Sequence, residues 1–394
     1  MPARNAQNNE IQSGVFSASE KSQIAVAEII NMAKSNDISI RQVGPKAAKR
    51  SIRKAIQTRR PTFLWGPPGI GKSDLVKQIG DDFGREVIDV RLALWEPTDI
   101  KGIPYYSAND NTMAWAKPAE LPDDEMAAQH EMIILFLDEM NSAAPAVQAA
   151  AYQLILNRKV GTYKLPDNVV IIAAGNREAD KGVTYRMPAP LANRFVHLEL
   201  AVSFDDWFQW AVVNNQHADV VGYLQFAKKD LYDFDPKSPS RSFATPRSWT
   251  FVSETIEDVE DFTEEEVTDM VAAGIGEGIA LKFKAHREIA GQLPNPSDIL
   301  SGSVTELNTD NISAKYSLTT ALCYELKSAF DNDEEEKHKW FDNFLAFIQA
   351  NFEAEMVVMA TTIALSKYGI RVKFNQLNNY KPFIAKYGKL IEQA

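Results

Sequence analysis

Gly66-Pro67-Pro68-Gly69-Ile70-Gly71-Lys72-Ser73 is a complete GxxxxGK[ST] loop, and its residue types are those that hold phosphate. Its glycines let backbone N–H groups close around phosphate oxygens where a Cβ would intrude. Lys72 is spaced for the β- and γ-phosphates of a nucleotide and Ser73 for Mg²⁺. Downstream, Leu135-Phe136-Leu137 runs into Asp138-Glu139, an apolar segment that ends in paired carboxylates. The first carboxylate can hold a Mg²⁺ shell and the second can polarise an attacking water. A further apolar run, Val169–Ala174, ends in Gly175-Asn176. An amide at that point suits either a nucleophile-positioning group or a plain turn after glycine.

These groups need elements to carry them. The apolar runs Thr62–Trp65, Val87–Leu94, Met132–Leu137, Val169–Ala174 and Phe195–Leu200 are short and alternate with helical or loop segments. That pattern predicts an α/β fold with a buried, parallel five-stranded sheet. Ligands of such sheets sit at the strands' C-terminal edge, where Asp138 and Asn176 fall. A helix over Lys72–Phe83 leaves the phosphate loop and adds the positive end of its dipole. After Leu200 the chain reads as helices: Asp205–Val213, Ala218–Lys228, Pro246–Thr255, Glu264–His286, Ser317–Ala329 and Lys337–Lys367. The expected division is an N-terminal arm and helix (1–44), an α/β nucleotide-binding core (45–200), a helical lid (201–297) and a helical C-terminal extension (298–394). Residues 1–17 read as a disordered arm and Ser19–Ala33 as a helix.

The order of motifs resembles the MoxR type of AAA+ ATPase over about residues 53–255. Asp138-Glu139-Met140-Asn141 matches the family's DE[IM]N strand end. Asn157-Arg158-Lys159-Val160, Glu96–Pro104, Thr184-Tyr185, Pro188, Asn193-Arg194-Phe195 and Ala244-Thr245-Pro246-Arg247 match further segments in sequence. The resemblance implies an ATP-binding, P-loop NTPase core with a helical lid, assembled as a hexameric ring with ATP between neighbours. It also implies Asn176 as sensor 1, Arg194 as the arginine finger and Arg247 as the sensor 2 arginine. Arg186 departs from the family pattern and competes for the finger role. The activity implied is ATP hydrolysis to ADP and phosphate in the service of remodelling a client, a chaperone-like role. A von Willebrand factor A-domain protein is the expected kind of partner. A nucleic-acid motor or loader on the same core is the alternative.

Composition bounds these readings. The 394 residues exceed one core of ordinary size, and the net charge of −11 gives no global attraction to nucleic acid or anionic lipid. The basic segment Lys46–Arg60 is the local exception. Cys323 is the only cysteine, so neither a cysteine-based zinc site nor an intrachain disulfide is expected. The polar N-terminus and the brevity of the apolar runs predict a protein of the cytoplasm with no membrane span. Trp95–Leu121, with Tyr105, Tyr106 and Trp115, is too patterned for a plain connector and reads as a projecting loop. Asn109-Asp110-Asn111 would be its tip, and Leu156–Leu165 reads as a second hairpin.

Overall fold

A computed structural model describes residues 41–109, 111–180 and 184–391. The expected arm and helix at 1–33, Asp110 and residues 181–183 lie outside the described residues.

The sheet strands are β1 (Gln42–Val43), β2 (Thr62–Trp65), β3 (Glu86–Arg91), β6 (Ile133–Asp138), β9 (Val169–Gly175) and β10 (Val196–Leu200). All pair in parallel, in the order β1-β10-β2-β9-β6-β3. The five predicted strands are present, and β1 makes a sixth. Its two residues pair with Glu199 and Leu200, which is too short a run to show as a hydrophobic pattern.

β6 and β9 are buried along their whole length, so both faces read as apolar. Alternate side chains separate the two faces. Ile133, Leu135, Leu137, Ile171 and Ala173 face a cluster with Val147, Ala151 and Leu154 of the helix Pro145–Asn157. Ile134, Phe136, Val170, Ile172 and Ala174 face Ile52 of the helix Pro45–Gln57 and Val76 and Ile79 of the helix Lys72–Phe83. Each such side chain stabilises the fold by roughly 1.5–3 kcal/mol relative to exposure, so both layers hold the C-terminal edge rigid.

Between residues 204 and 391 every regular element is a helix, and one apolar cluster runs from Trp207 and Phe208 to Phe383 and Tyr387. The segment read as one helix over Glu264–His286 is two, Glu264–Ile275 and Glu277–Ala290. Gly276 stands between them at φ 89°, outside helical backbone. Lys337–Lys367 likewise divides where Phe352 is extended, into Lys337–Asn351 and Ala354–Thr362, the latter ending in a π turn.

Two hairpins stand apart from the sheet. β4 (Ile103–Ser107) pairs antiparallel with β5 (Thr112–Ala116), and β7 (Lys159–Val160) with β8 (Tyr163–Lys164). The first projects as expected, but Tyr105 and Tyr106 lie in a strand of it rather than in its turn. Ile103, Tyr105, Tyr106 and Met113 are all more than half exposed there. Among the described residues no helix is long and apolar enough to cross a membrane.

Candidate nucleotide site

β2 delivers the phosphate loop to the sheet's C-terminal edge, and the helix Lys72–Phe83 leaves it. Lys72 Nζ donates to Gly66 O (2.7 Å), Pro67 O (3.0 Å) and Asn176 Oδ1 (3.0 Å). Ser73 Oγ donates to Asp138 Oδ2 at 2.6 Å. Residues 66–73, 138 and 176 thus meet at one edge, although as many as 110 positions separate them in sequence.

Glu139 follows β6 with φ 52°, the left-handed region, which costs a non-glycine residue about 1 kcal/mol. The turn is held by Glu139 N donating to Asp138 Oδ1 (2.8 Å) and Met140 N to Ala174 O (2.9 Å). It leaves the Glu139 carboxylate exposed beside the buried Asp138. One carboxylate in hydrogen-bond contact with one hydroxyl is a hard-oxygen pair. That donor set suits a divalent cation whose other ligands are water and phosphate. Among the described residues no group of three or more His, Cys, Asp or Glu could form a metal cage on its own.

Asn141, quoted above only as part of a motif, has a role that sequence reading missed. Its Nδ2 donates to Asn176 O (2.7 Å), and its Oδ1 accepts from Asn176 N (3.2 Å). Gly175 makes room for it: a Cβ there would stand 2.1 Å from Asn141 Oδ1. Asn141 O also accepts from Tyr185 N at 2.7 Å, which ties the loop leading to Arg186 to the same edge.

The helical half reaches the phosphate loop through Thr245–Arg247. Thr245 caps the helix Pro246–Thr255 with a capping box, and its side chain fills the space against Gly69, where a Cβ would approach within 2.7 Å. Arg247 N donates to Gly69 O at 3.2 Å, and the exposed Arg247 side chain is near enough for its charge to act on Lys72. Arg194 is not part of this group. It lies two residues before β10, whose Val196 is in register with Thr62, the first residue of β2. The phosphate loop follows the last, Trp65, so at about 3.3 Å per residue Arg194 lies well over 10 Å from its own loop.

Burial lowers the Lys72 ammonium from its ordinary 10.5 to about 8. Asp138, Asp180 and Glu139 pull it upwards and Arg247 pushes it further down. The sign follows: in the folded protein Lys72 loses its proton before a free lysine does, and phosphate binding must restore it. Nucleotide affinity is therefore expected to weaken as pH rises through about 8, approaching a tenfold loss per pH unit. Titration with a fluorescent ADP analogue across that range checks this, and constant affinity would contradict it.

Comparison with known proteins agrees with this geometry. Residues 62–199 match the AAA family, the ATPase family associated with various cellular activities. Over 196 residues, 47% of this chain, it is 27% identical to midasin of Giardia intestinalis, covering 4% of that protein. Over 159 residues, 39% of this chain, it is 26% identical to protein MoxR of Methylorubrum extorquens, covering 44% of it. The match spans less than half the length of either relative. A solved RuvB variant of Thermotoga maritima is 17% identical, with 66% of this chain and 76% of that chain covered at TM-score 0.36. Within the matched segment, the chain is thus similar both to the AAA family and to a MoxR protein.

Proposed function

We propose that the chain hydrolyses ATP to ADP and phosphate in a hexameric ring and uses the cycle to remodel a partner protein. The observation that carries the reading is the convergence of Lys72, Ser73, Asp138, Glu139 and Asn176 on one sheet edge. Mg²⁺ bound with ATP supplies charge neutralisation, and Ser73 and Asp138 are the residues that would hold it. The backbone N–H groups of Gly69, Ile70 and Gly71 and the Lys72 ammonium bind the phosphates. Glu139 takes a proton from the attacking water, and Asn176 orients that water. Arg247 of the same subunit and Arg194 of a neighbour stabilise charge on the transferring phosphoryl group. Release of phosphate from ATP that stops on chelation of divalent metal tests the reaction. ATP turnover persisting without divalent metal would refute this assignment of Ser73 and Asp138.

The partner reading is supported by the β4–β5 hairpin. A soluble protein seldom leaves a group of large apolar side chains exposed unless something binds them. Here Tyr105 and Tyr106 are 53% and 67% exposed beside Ile103 and Met113. Aromatic side chains on a projecting ribbon grip polypeptide by apolar contact and ring packing without reading sequence. By the MoxR-type likeness, a von Willebrand factor A-domain protein is the client to test first. Replacing both tyrosines by alanine is expected to leave basal ATPase activity within about twofold and to remove stimulation by the client, because both are exposed and the Tyr106 hydroxyl bonds Asn111 within the hairpin itself. Loss of basal activity or of soluble protein would show the tyrosines to be structural instead.

One observation favours a nucleic-acid role as the second reading. On the helix Pro45–Gln57, Lys46, Arg50, Arg53 and Lys54 are exposed, and among the described residues only the Arg53 side chain has a partner, the face of Phe83. Stimulation of turnover by DNA, with binding that falls steeply with salt, would replace the protein client by nucleic acid.

A further inference from the structure

Asn176 is held from two sides, and the second side is not explained by the site as described so far. On the first side is the Asn141 amide. On the second, Arg177 N donates to Asp180 Oδ2 at 3.0 Å, and Asp180 N returns a bond to Arg177 O at 3.0 Å. The Arg177 guanidinium then grips the same carboxylate, through Nε to Oδ1 and Oδ2 (3.2 and 3.1 Å) and Nη2 to Oδ1 (2.8 Å). Its remaining arm, Nη1, reaches Glu199 Oε1 on β10 at 3.1 Å, and that oxygen also accepts from Gln42 Nε2 at 2.8 Å.

A short turn at a protein surface does not require this. The Asp180 side chain is 3% exposed and that of Glu199 13%, so two carboxylates share one guanidinium largely away from water. Removing a charge from water is unfavourable unless its partner is fixed, and a forked, bidentate pair fixes it in both distance and plane. The plane of Arg177 is thereby set against two neighbouring elements, the turn Glu178–Asp180 and strand β10. Because Arg177 adjoins Asn176, its backbone setting determines where the Asn176 amide meets Lys72.

We propose that Arg177, Asp180 and Glu199 form a positioning clamp for the hydrolysis step, holding the Asn176 amide at the point where it contacts Lys72. Their side-chain hydrogen bonds run to one another and to Gln42, and they act through Asn176. Geometry of this kind matters when the nucleophile is placed, not when the nucleotide is bound. An error of about 1 Å in such a group can cost on the order of a hundredfold in rate.

The proposal rests on the ATPase reading, and the experiment separates the two. Steady-state turnover and ATP KM are measured for wild type, Lys72→Ala, Asn176→Ala, Asp180→Asn and the Asn176→Ala/Asp180→Asn double variant. The clamp predicts a fall in kcat of at least about tenfold for Asp180→Asn, with KM changed by less than about threefold. It also predicts that the double variant is no slower than Asn176→Ala alone, because both changes remove one function. Multiplying effects, or a raised KM at unchanged kcat, would make the network structural and overturn the clamp. Wild-type kcat in Asp180→Asn, with Asn176→Ala slow, would defeat the clamp and leave the ATPase reading standing. Equal activity in wild type and Lys72→Ala would defeat both. Should Asp180→Asn fail to fold, Arg177→Lys carries the same test. It keeps the cation opposite Asp180 but lacks the planar fork, so its kcat is expected to fall, and an unchanged kcat overturns the proposal.

Discussion

Glu139→Gln is expected to bind ATP as wild type does and to hydrolyse it about 10²–10⁴-fold more slowly, the range a positioned general base contributes. The expectation follows from where the chain puts two adjacent carboxylates. Asp138 is buried and engaged with the Ser73 hydroxyl, whereas Glu139 is turned out by its left-handed backbone. Binding and proton removal are thus assigned to different side chains one residue apart. Glutamine keeps the size and one acceptor oxygen of glutamate but is no base at neutral pH. Lys72→Ala is expected to act on the other step, because it deletes the cation aimed into the loop and leaves its carbonyl partners unpaired. Binding of a fluorescent ATP analogue and single-turnover phosphate release, measured on both variants, separate these effects. Near-normal release by Glu139→Gln would remove Glu139 from the role of base.

How much of this was legible beforehand depended on the range of the interactions. β2, β6 and β9 are largely or wholly buried, and burial writes itself locally as apolar runs. Lys72, Ser73, Asp138 and Glu139 were legible because their chemistry requires unusual residue types at fixed short spacing after those runs. β1 was not, since two residues carry no periodicity. The β4–β5 strands read only as part of a projecting loop for a related reason. With both faces exposed, nothing forces alternation of polar and apolar residues. The breaks at Gly276, at φ 89°, and at the extended Phe352 interrupt otherwise continuous helical patterns at single residues, which periodicity over a long window passes over.

The site's supporting groups were hidden differently. Asn141 meets Asn176 across 35 positions, and Arg177 meets Glu199 across 22. Each is an ordinary polar residue whose role exists only once the sheet brings the strands together. Thr245 against Gly69 is the same case at longer range.

The second large effect concerns Arg194. Arg194→Ala is expected to reduce turnover by on the order of a thousandfold while nucleotide binding persists, as for arginines that stabilise phosphoryl transfer from a neighbouring subunit. Sheet register supports action between subunits. Arg194 sits beyond the N-terminal ends of β2 and β10, and the phosphate loop lies past the C-terminal end of β2. Its side chain is exposed and makes no ion pair among the described residues, so it is free to reach outward. Phe195 next to it is anchored by edge-on packing against Phe63, which fixes the backbone from which the arginine projects. Arg186 is the competing candidate, but its neighbour Tyr185 is tied to Asn141 at the chain's own nucleotide edge. The distinguishing measurement mixes two inactive variants, Arg194→Ala and Glu139→Gln. Where an Arg194→Ala subunit supplies the nucleotide site and a Glu139→Gln subunit supplies the arginine, an intact composite site forms and activity returns. A mixture that stays inactive while both variants assemble together would rule out action in trans. The same recovery from Arg186→Ala, and not from Arg194→Ala, would move the finger to Arg186.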